Sequence, residues 1–259
     1  MKKRNIIRGF LVLVMVVMTG FFINLEITKA DEKNTENYHL IPWDDGQSGT
    51  YWMDGYLYWI DMKKKKISRY SDEEMTKEEV LVEADKGTCI GECGLLYDDI
   101  IYYVLIDNKT HAGNLYSYNL KSRESNKLGA ARELQRLEVL VDGKIYGCGY
   151  TKTGNPEVFL YDLKGKKLKQ ICKNGYFGQI VGKYIAIQTI SSSGKSGMTL
   201  YRKSDGQKIK TITSNCSYYE FIDNTFYYVE PIAEFKYKIK SYNLSLIHIS
   251  EPTRPISIS

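Results

Sequence analysis

Six basic side chains could share one task. Lys64, Lys109, His111, Lys152, Lys195 and Lys236 lie in five short polar segments, DMKKKK, DNKTHAGN, TKTGNP, SSSGKSG and PIAEFKYK. Each segment follows an aromatic or aliphatic run. Gathered at one rim, these cations could hold an anionic cell-wall polysaccharide or an acidic protein surface by long-range attraction. Scattered, they would be solvated hairpin tips, because loops are polar and lysine is an ordinary exposed residue.

Other candidate chemistry is thinner. The five cysteines, Cys89, Cys93, Cys148, Cys172 and Cys216, leave an odd thiol however they pair. Disulfides stay open as a possibility for an exported chain. A zinc site built on Cys89 and Cys93 needs two more ligands, and no His or Cys pair offers them at suitable spacing. Cys148, inside an apolar run, reads as a small core residue. Asp54, Asp98, Asp142 and Asp223 recur at like places. They could form a carboxylate ring for a cation or for acid–base work, or simply supply turns. SSSGKSG has the composition of a phosphate loop but neither its residue order nor a following helix. There is no Gly-x-Ser-x-Gly elbow, so a hydrolase triad has little to draw on, and His39 and His111 are too few for a histidine-rich metal site. The expectation is no catalytic residue, no metal and no cofactor.

The elements that must carry these residues repeat. YWMDGYLYWI, LLYDDIIYYV, VLVDGKIYGC, QIVGKYIAIQ and EFIDNTFYYV share an apolar pair, a tight turn and an aromatic or aliphatic run. Taking Asp54, Asp98, Asp142, Val181 and Asp223 as markers, the copies are spaced by 44, 44, 39 and 42 residues. A second series follows, KISRYSD, NLYSYNL, EVFLYDL, MTLYRKSDG and KIKSYNL, with Tyr70, Tyr118, Tyr161, Tyr201 and Tyr242 at spacings of 48, 43, 40 and 41. A third, weaker series trails it: EEVLVEAD, SNKLGAA, KLKQICK and IKTITSN. Asp-Gly and Asp-Asn suit two-residue hairpin turns, and the flanking Tyr, Ile, Val, Phe and Trp suit a pleated surface. Four short strands in about 42 residues is the period of a propeller blade. A lone blade cannot bury both faces, whereas blades packed round an axis can. The fold class expected is all-β, a β-propeller with about five four-stranded blades, the last incomplete, and six to eight in the intact protein. GAARELQRLEVL is the one stretch with helical spacing, and it runs into a first strand.

The first copy resembles a known family. Its LYWID and ISRY are similar to the Tyr-Trp-Thr-Asp repeats of low-density-lipoprotein-receptor β-propellers, with Ile60 where those have threonine. Later copies keep the tyrosine, as in IYY and FYY, and lose the Trp-x-Asp. Residues 38–243 resemble the bacterial prolow-density-lipoprotein-receptor-like propeller domains of secreted proteins. That resemblance implies the fold and carries over no catalytic residue.

The two ends stand apart. Residues 1–30 combine a basic start, the apolar run FLVLVMVVMTGFFINL, and Thr28 and Ala30 at the positions a signal peptidase inspects. They read as a signal peptide, or as a membrane anchor if uncleaved. Residues 31–37 read as a linker. LSLIHISEPTR, residues 244–254, matches the in-frame translation of a sequencing-library transposase adapter, so 244–259 read as an adapter-derived tail on a truncated chain. His248, Glu251 and Arg254 therefore carry no functional weight. The formal net charge of +5 changes meaning accordingly. Residues 1–30 hold five basic residues against Glu26, and Arg254 cancels Glu251, which leaves about +1 for residues 31–243. That balance argues against nucleic acid as a partner.

The function expected is a secreted or cell-surface noncatalytic propeller that binds a protein or polysaccharide through its loop faces. The alternative is the propeller portion of an extracytoplasmic enzyme, a peptidase or a glycan-active protein, whose catalytic domain is missing from this chain. Contact with a membrane is expected only if residues 10–25 stay attached, as in a sensor ectodomain.

Overall fold

The computed structural model describes residues 38–42, 52–61, 63, 65–72, 74–233 and 236–246. The expected leader and linker, Trp43, Lys64 and all but the first three residues of the expected tail lie outside the described residues. Within them the chain is all-β, ending in one 3-10 turn, Leu244–Leu246.

After β1 (Tyr38–Ile41) come five successive antiparallel meanders. The first joins β2 (Trp52–Met53), β3 (Tyr56–Asp61), β4 (Lys66–Tyr70) and β5 (Glu78–Glu83). The second opens with a divided strand, β6 (Thr88–Ile90) and β7 (Gly94–Tyr97), both paired to β8 (Ile100–Asp107), and continues through β9 (Gly113–Asn119) and β10 (Glu124–Ala130). The third runs through β11 (Leu134–Val141), β12 (Lys144–Tyr150), β13 (Pro156–Asp162) and β14 (Lys167–Lys173). The fourth comprises β15 (Gly175–Val181), β16 (Tyr184–Ile190), β17 (Ser196–Arg202) and β18 (Lys208–Thr213). The fifth has three described strands, β19 (Tyr218–Ile222), β20 (Thr225–Ala233) and β21 (Lys236–Asn243).

The register repeats with the sequence. Each repeated tyrosine sits opposite an apolar residue of the second strand: Leu57 and Tyr70, Ile101 and Tyr118, Ile145 and Tyr161, Ile185 and Tyr201, Phe226 and Tyr242. The turns that set this register have the backbone their residues favour. Asp54-Gly55, Asp98-Asp99 and Asp142-Gly143 place both central residues at positive φ, as a type I′ hairpin requires. Gly182 and Asp223 do so at the first position.

Alternation along each strand sends successive side chains to opposite faces, and in the inner strands of the second, third and fourth sheets both faces are buried. In β8, Ile101 and Tyr103 pack toward the first sheet, while Tyr102 and Val104 pack toward the third. In β12, Ile145 joins the core shared with the second sheet and Tyr146 the core shared with the fourth. Met198, Leu200, Phe221 and Phe226 form the last core, between the fourth and fifth sheets. Four apolar layers thus alternate with five sheets, which are the blades of a β-propeller. Burying one such Ile or Leu contributes about 1.5–3 kcal/mol.

Two expectations are corrected. The helical spacing of GAARELQRLEVL belongs to β10, a link and β11. Bulges between Leu134 and Arg136, and between Leu137 and Val139, each insert a residue into β11. A three-residue apolar spacing then falls on one sheet face, and Leu134, Leu137 and Leu140 all enter the same core. YHLIPW, residues 38–43, is by sequence the candidate for the N-terminal strand that closes the last blade of an intact ring, and Tyr38–Ile41 is its described strand. It pairs instead with β7 of the second sheet, from Tyr38 opposite Tyr97 to Ile41 opposite Gly94. The innermost strand of that sheet offers a free row of N–H and C=O groups, and β1 satisfies it.

Candidate functional site

Because every blade runs its strands in the same order, the connections from second to third strand all leave the sheets at one end. The links between blades run at that same end and brace them. Asn108 N donates to Gly87 O at 2.9 Å, Gly113 N to Arg132 O at 3.1 Å, Ile190 N to Asn174 O at 2.6 Å and Cys216 N to Ser196 O at 2.7 Å. This loop face is the end that carries the basic residues singled out above.

Lys109, His111, Lys152, Lys195 and Lys236 are all exposed there, while Lys64 lies outside the described residues. Lys109 and His111 sit on a tight turn built round Asp107. Its Oδ1 accepts from Lys109 N at 3.0 Å and Thr110 N at 2.7 Å, and these bonds, with Thr110 foremost, hold the carboxyl below its usual range. His111 adopts a φ of 56°, its N donating to Asp107 O at 2.8 Å and its O accepting from Gln135 Nε2 at 3.1 Å. The backbone of this turn is therefore fixed while the Lys109 and His111 side chains are exposed to solvent. Lys236 begins β21 opposite Ala233.

The third and fourth blades carry the same loop in different letters. Thr151 Oγ1 accepts from Asn155 N at 3.0 Å and meets Thr153 Oγ1 at 2.8 Å. Ser191 Oγ accepts from Lys195 N at 3.0 Å and meets Ser193 Oγ at 3.0 Å. Gly154 and Gly194 supply the left-handed residue at matching places, with φ of 78° and 75°. SSSGKSG is thus a hairpin connection joining β16 to β17, and no helix follows it to point an N-terminus at a phosphate.

One polar group on the inner strands escaped the reading of the sequence. Arg136 Nε donates to Glu138 Oε1 at 2.5 Å, and Arg136 Nη1 lies 3.5 Å from Glu92 Oε2. Burial pushes the Glu138 carboxyl up against the opposing pull of Arg136. For Arg136, burial opposes the charged form, but Glu138 and Glu92 prevail and raise its pKa. The Cys148 thiol bonds to Glu138 and is pushed well up, by burial first. Tyr38 of β1 is pushed up to about 12 by burial and then by Glu138. The group ties β1 and the second blade to the third, as a braced ion pair with no nucleophile in an ionised state. Arg136 and Glu138 at i and i+2 on an otherwise apolar strand were its sequence signal, concealed by the bulged spacing.

The acidic turn residues act through their backbone, at positive φ. Cys89, Cys148, Cys172 and Cys216 are free thiols, and burial pushes all four up, away from the reactive thiolate. Among the described residues no group of three His, Cys, Asp or Glu side chains converges to hold a metal ion.

No protein-family model and no curated protein matches the chain. Solved structures do. A prolyl endopeptidase is 14% identical with a TM-score of 0.50, over 81% of this chain and 34% of its own. Oligopeptidase B from Leishmania major is 7% identical with a TM-score of 0.52, over 82% of this chain and 33% of its own. An oligogalacturonate lyase in complex with manganese is 11% identical with a TM-score of 0.52, over 77% and 62%. The chain therefore spans about a third of the two peptidases and less than two thirds of the lyase. At these identities the likeness is one of fold, and the fold is a β-propeller.

Proposed function

We propose that the chain is a noncatalytic β-propeller of the YWTD-like, low-density-lipoprotein-receptor-like kind, exported to the extracellular space or the cell surface. It binds a protein or an anionic cell-wall polysaccharide through the loop face. One observation carries this reading: connections in successive blades present Lys109, His111, Lys152, Lys195 and Lys236 at the same end of the sheets, the first four on backbones held by their own turns. Lys64 belongs to the first of these connections by sequence. Fixed backbone with mobile cations suits a partner recognised by charge. The test replaces Lys64, Lys109, Lys152 and Lys195 with Gln and measures retention on purified cell-wall material at 50 and 200 mM NaCl. Retention should fall about tenfold and lose salt dependence; unchanged retention sinks the loop-face reading.

A second reading has its own support. The chain spans about a third of two peptidases, as the propeller portion of a longer extracytoplasmic enzyme would. Expression of the uninterrupted reading frame with a peptide-hydrolysis assay separates the two, since turnover by the longer product and none by this chain would favour the enzyme.

A further inference from the structure

The near-neutral balance of residues 31–243 hides a division between blades. Residues 52–130, the first two blades, carry 11 lysines and arginines against 14 aspartates and glutamates, a formal −3. Residues 131–243, the last three, carry 18 against 10, a formal +8. The fourth strand, the outer edge of each sheet, shows the division position by position. Opposite the repeated tyrosine and the residue before it stand Glu78 and Glu79 in the first blade, and Ser125 and Asn126 in the second. The third presents Lys167 and Lys169 there, and the fourth Lys208 and Lys210.

Charge on an edge strand guards against edge-to-edge pairing, and either sign does so. The first blade uses carboxylates and neutralises them. Glu78 pairs with Lys66 at 2.5 Å, and Glu79 with Arg69 at 2.7 Å and Arg123 at 2.8 Å. In the third blade Lys167 has Glu133 at 2.9 Å. Lys169 and Lys210 are held by neutral oxygens. Lys169 Nζ donates to Gly206 O at 3.0 Å, and Lys210 Nζ to the Tyr242 hydroxyl at 2.8 Å. Lys144 Nζ, from the third blade's first turn, donates to Ser204 O at 2.6 Å. A carbonyl or hydroxyl fixes an ammonium in place without cancelling its charge, and leaves it at least one further donor. Edge protection explains neither the change of sign nor the lack of neutralisation.

These contacts bring Lys144, Lys169 and Arg202 to the turn 203–206, which itself holds Lys203, and Lys208 and Lys210 follow it along β18. The carboxylates beside them are Asp205, which pairs with Arg202 at 3.0 Å, and Asp142, which acts on neighbouring Tyr146. This turn joins third to fourth strand, so it lies at the end of the sheets opposite the loop face. Rings here are covered by ammonium groups: Lys210 Nζ stands 4.8 Å from the Tyr242 centroid and Lys183 Nζ 5.6 Å from that of Tyr184. These two rings offer a nucleobase no free face to stack on. A chain carrying one anion per sugar needs only point charges, and lysines two residues apart offer them every ~6.8 Å along a strand.

We propose that the outer strands of the third and fourth blades, with the turn between β17 and β18, form a binding surface for a linear carboxylated polysaccharide, separate from the loop face. The test titrates the whole chain with polygalacturonate at 50 and 200 mM NaCl. It compares Lys169→Gln/Lys208→Gln/Lys210→Gln, the same three lysines changed to Arg, and the loop triple Lys109→Gln/Lys152→Gln/Lys195→Gln. The outer Gln triple should weaken binding about 10- to 100-fold and reduce the salt slope by about 2. The Arg triple and the loop triple should bind as the parent does. All three outer lysines are exposed, and retained circular dichroism excludes misfolding as the cause of any loss. The proposal is overturned if the outer Gln triple binds like the parent, if the parent does not bind polygalacturonate, or if single-stranded DNA binds more tightly than the glycan. Loss in the loop triple alone overturns it and leaves the loop-face reading standing.

Discussion

Glu78 carries several roles in one carboxylate. It accepts from Lys66 Nζ at 2.5 Å, Ser68 Oγ at 2.7 Å and the Tyr70 hydroxyl at 2.9 Å. These bonds, Lys66 first, hold its pKa at about 2 against an ordinary 4.5. A folded value below the unfolded one means that the contribution is present above about pH 4.5 and is lost as the pH falls toward 2. Solvent reaches the group, and screening reduces the worth of the shift to about 1 kcal/mol. Glu78→Gln should therefore cost about 1 kcal/mol in urea unfolding at pH 7, with the difference shrinking steadily below pH 4.5. An equal loss at pH 7 and pH 2.5 would assign the effect to packing. The partner Tyr70, pushed to about 12 by burial and then by Glu78, stays a neutral donor throughout. Nothing in EEVLVEAD marks Glu78 as special. Lys66 meets it only because β4 pairs with β5 and folds a long separation into one contact.

At the scale of elements, close approach between neighbouring blades decides which glycines matter. A Cβ on Gly149, at the end of β12, would stand 1.5 Å from Glu133 O, in the link that enters the third blade. Gly154, in the following hairpin connection, has a φ of 78° and nothing within 4 Å of a Cβ. Gly149→Ala should cost about 2–3 kcal/mol, since backbone cannot yield cheaply, while Gly154→Ala should cost only the left-handed strain, about 1 kcal/mol. Guanidinium unfolding of both variants checks this, and a reversed order would mean the link can move aside. The turns were legible because Asp-Gly chemistry is local. The bulges of β11 were not, since they answer the demand of the adjoining sheets that Leu134, Leu137 and Leu140 share one face.

At the scale of the molecule, four apolar layers separate five sheets, and the fifth sheet is the uneven one. Tyr218, Ile222, Tyr237 and Ile239 are exposed, Ile239 at 77%. An apolar sheet face open to water promotes association between copies. Sedimentation velocity of this chain should show mass rising with concentration, and Ile222→Lys/Ile239→Lys should shift it toward monomer. A monomer at all concentrations in the parent would show that this face tolerates water. The charge division is also a property at this scale. The average over residues 31–243 reads as nearly neutral because the sum does not register which blade a residue enters.

The sequence alone determined the repeat, the hairpin turns and the recurrence of one tyrosine per copy, because alternation and turn chemistry act within a few residues along the chain. Tertiary structure alone decided where β1 pairs, how Glu92 and Glu138 flank Arg136, and which lysines cluster about the turn 203–206. Those contacts join groups from different strands and blades, and their energies depend on burial and proximity that exist only after the sheets have packed.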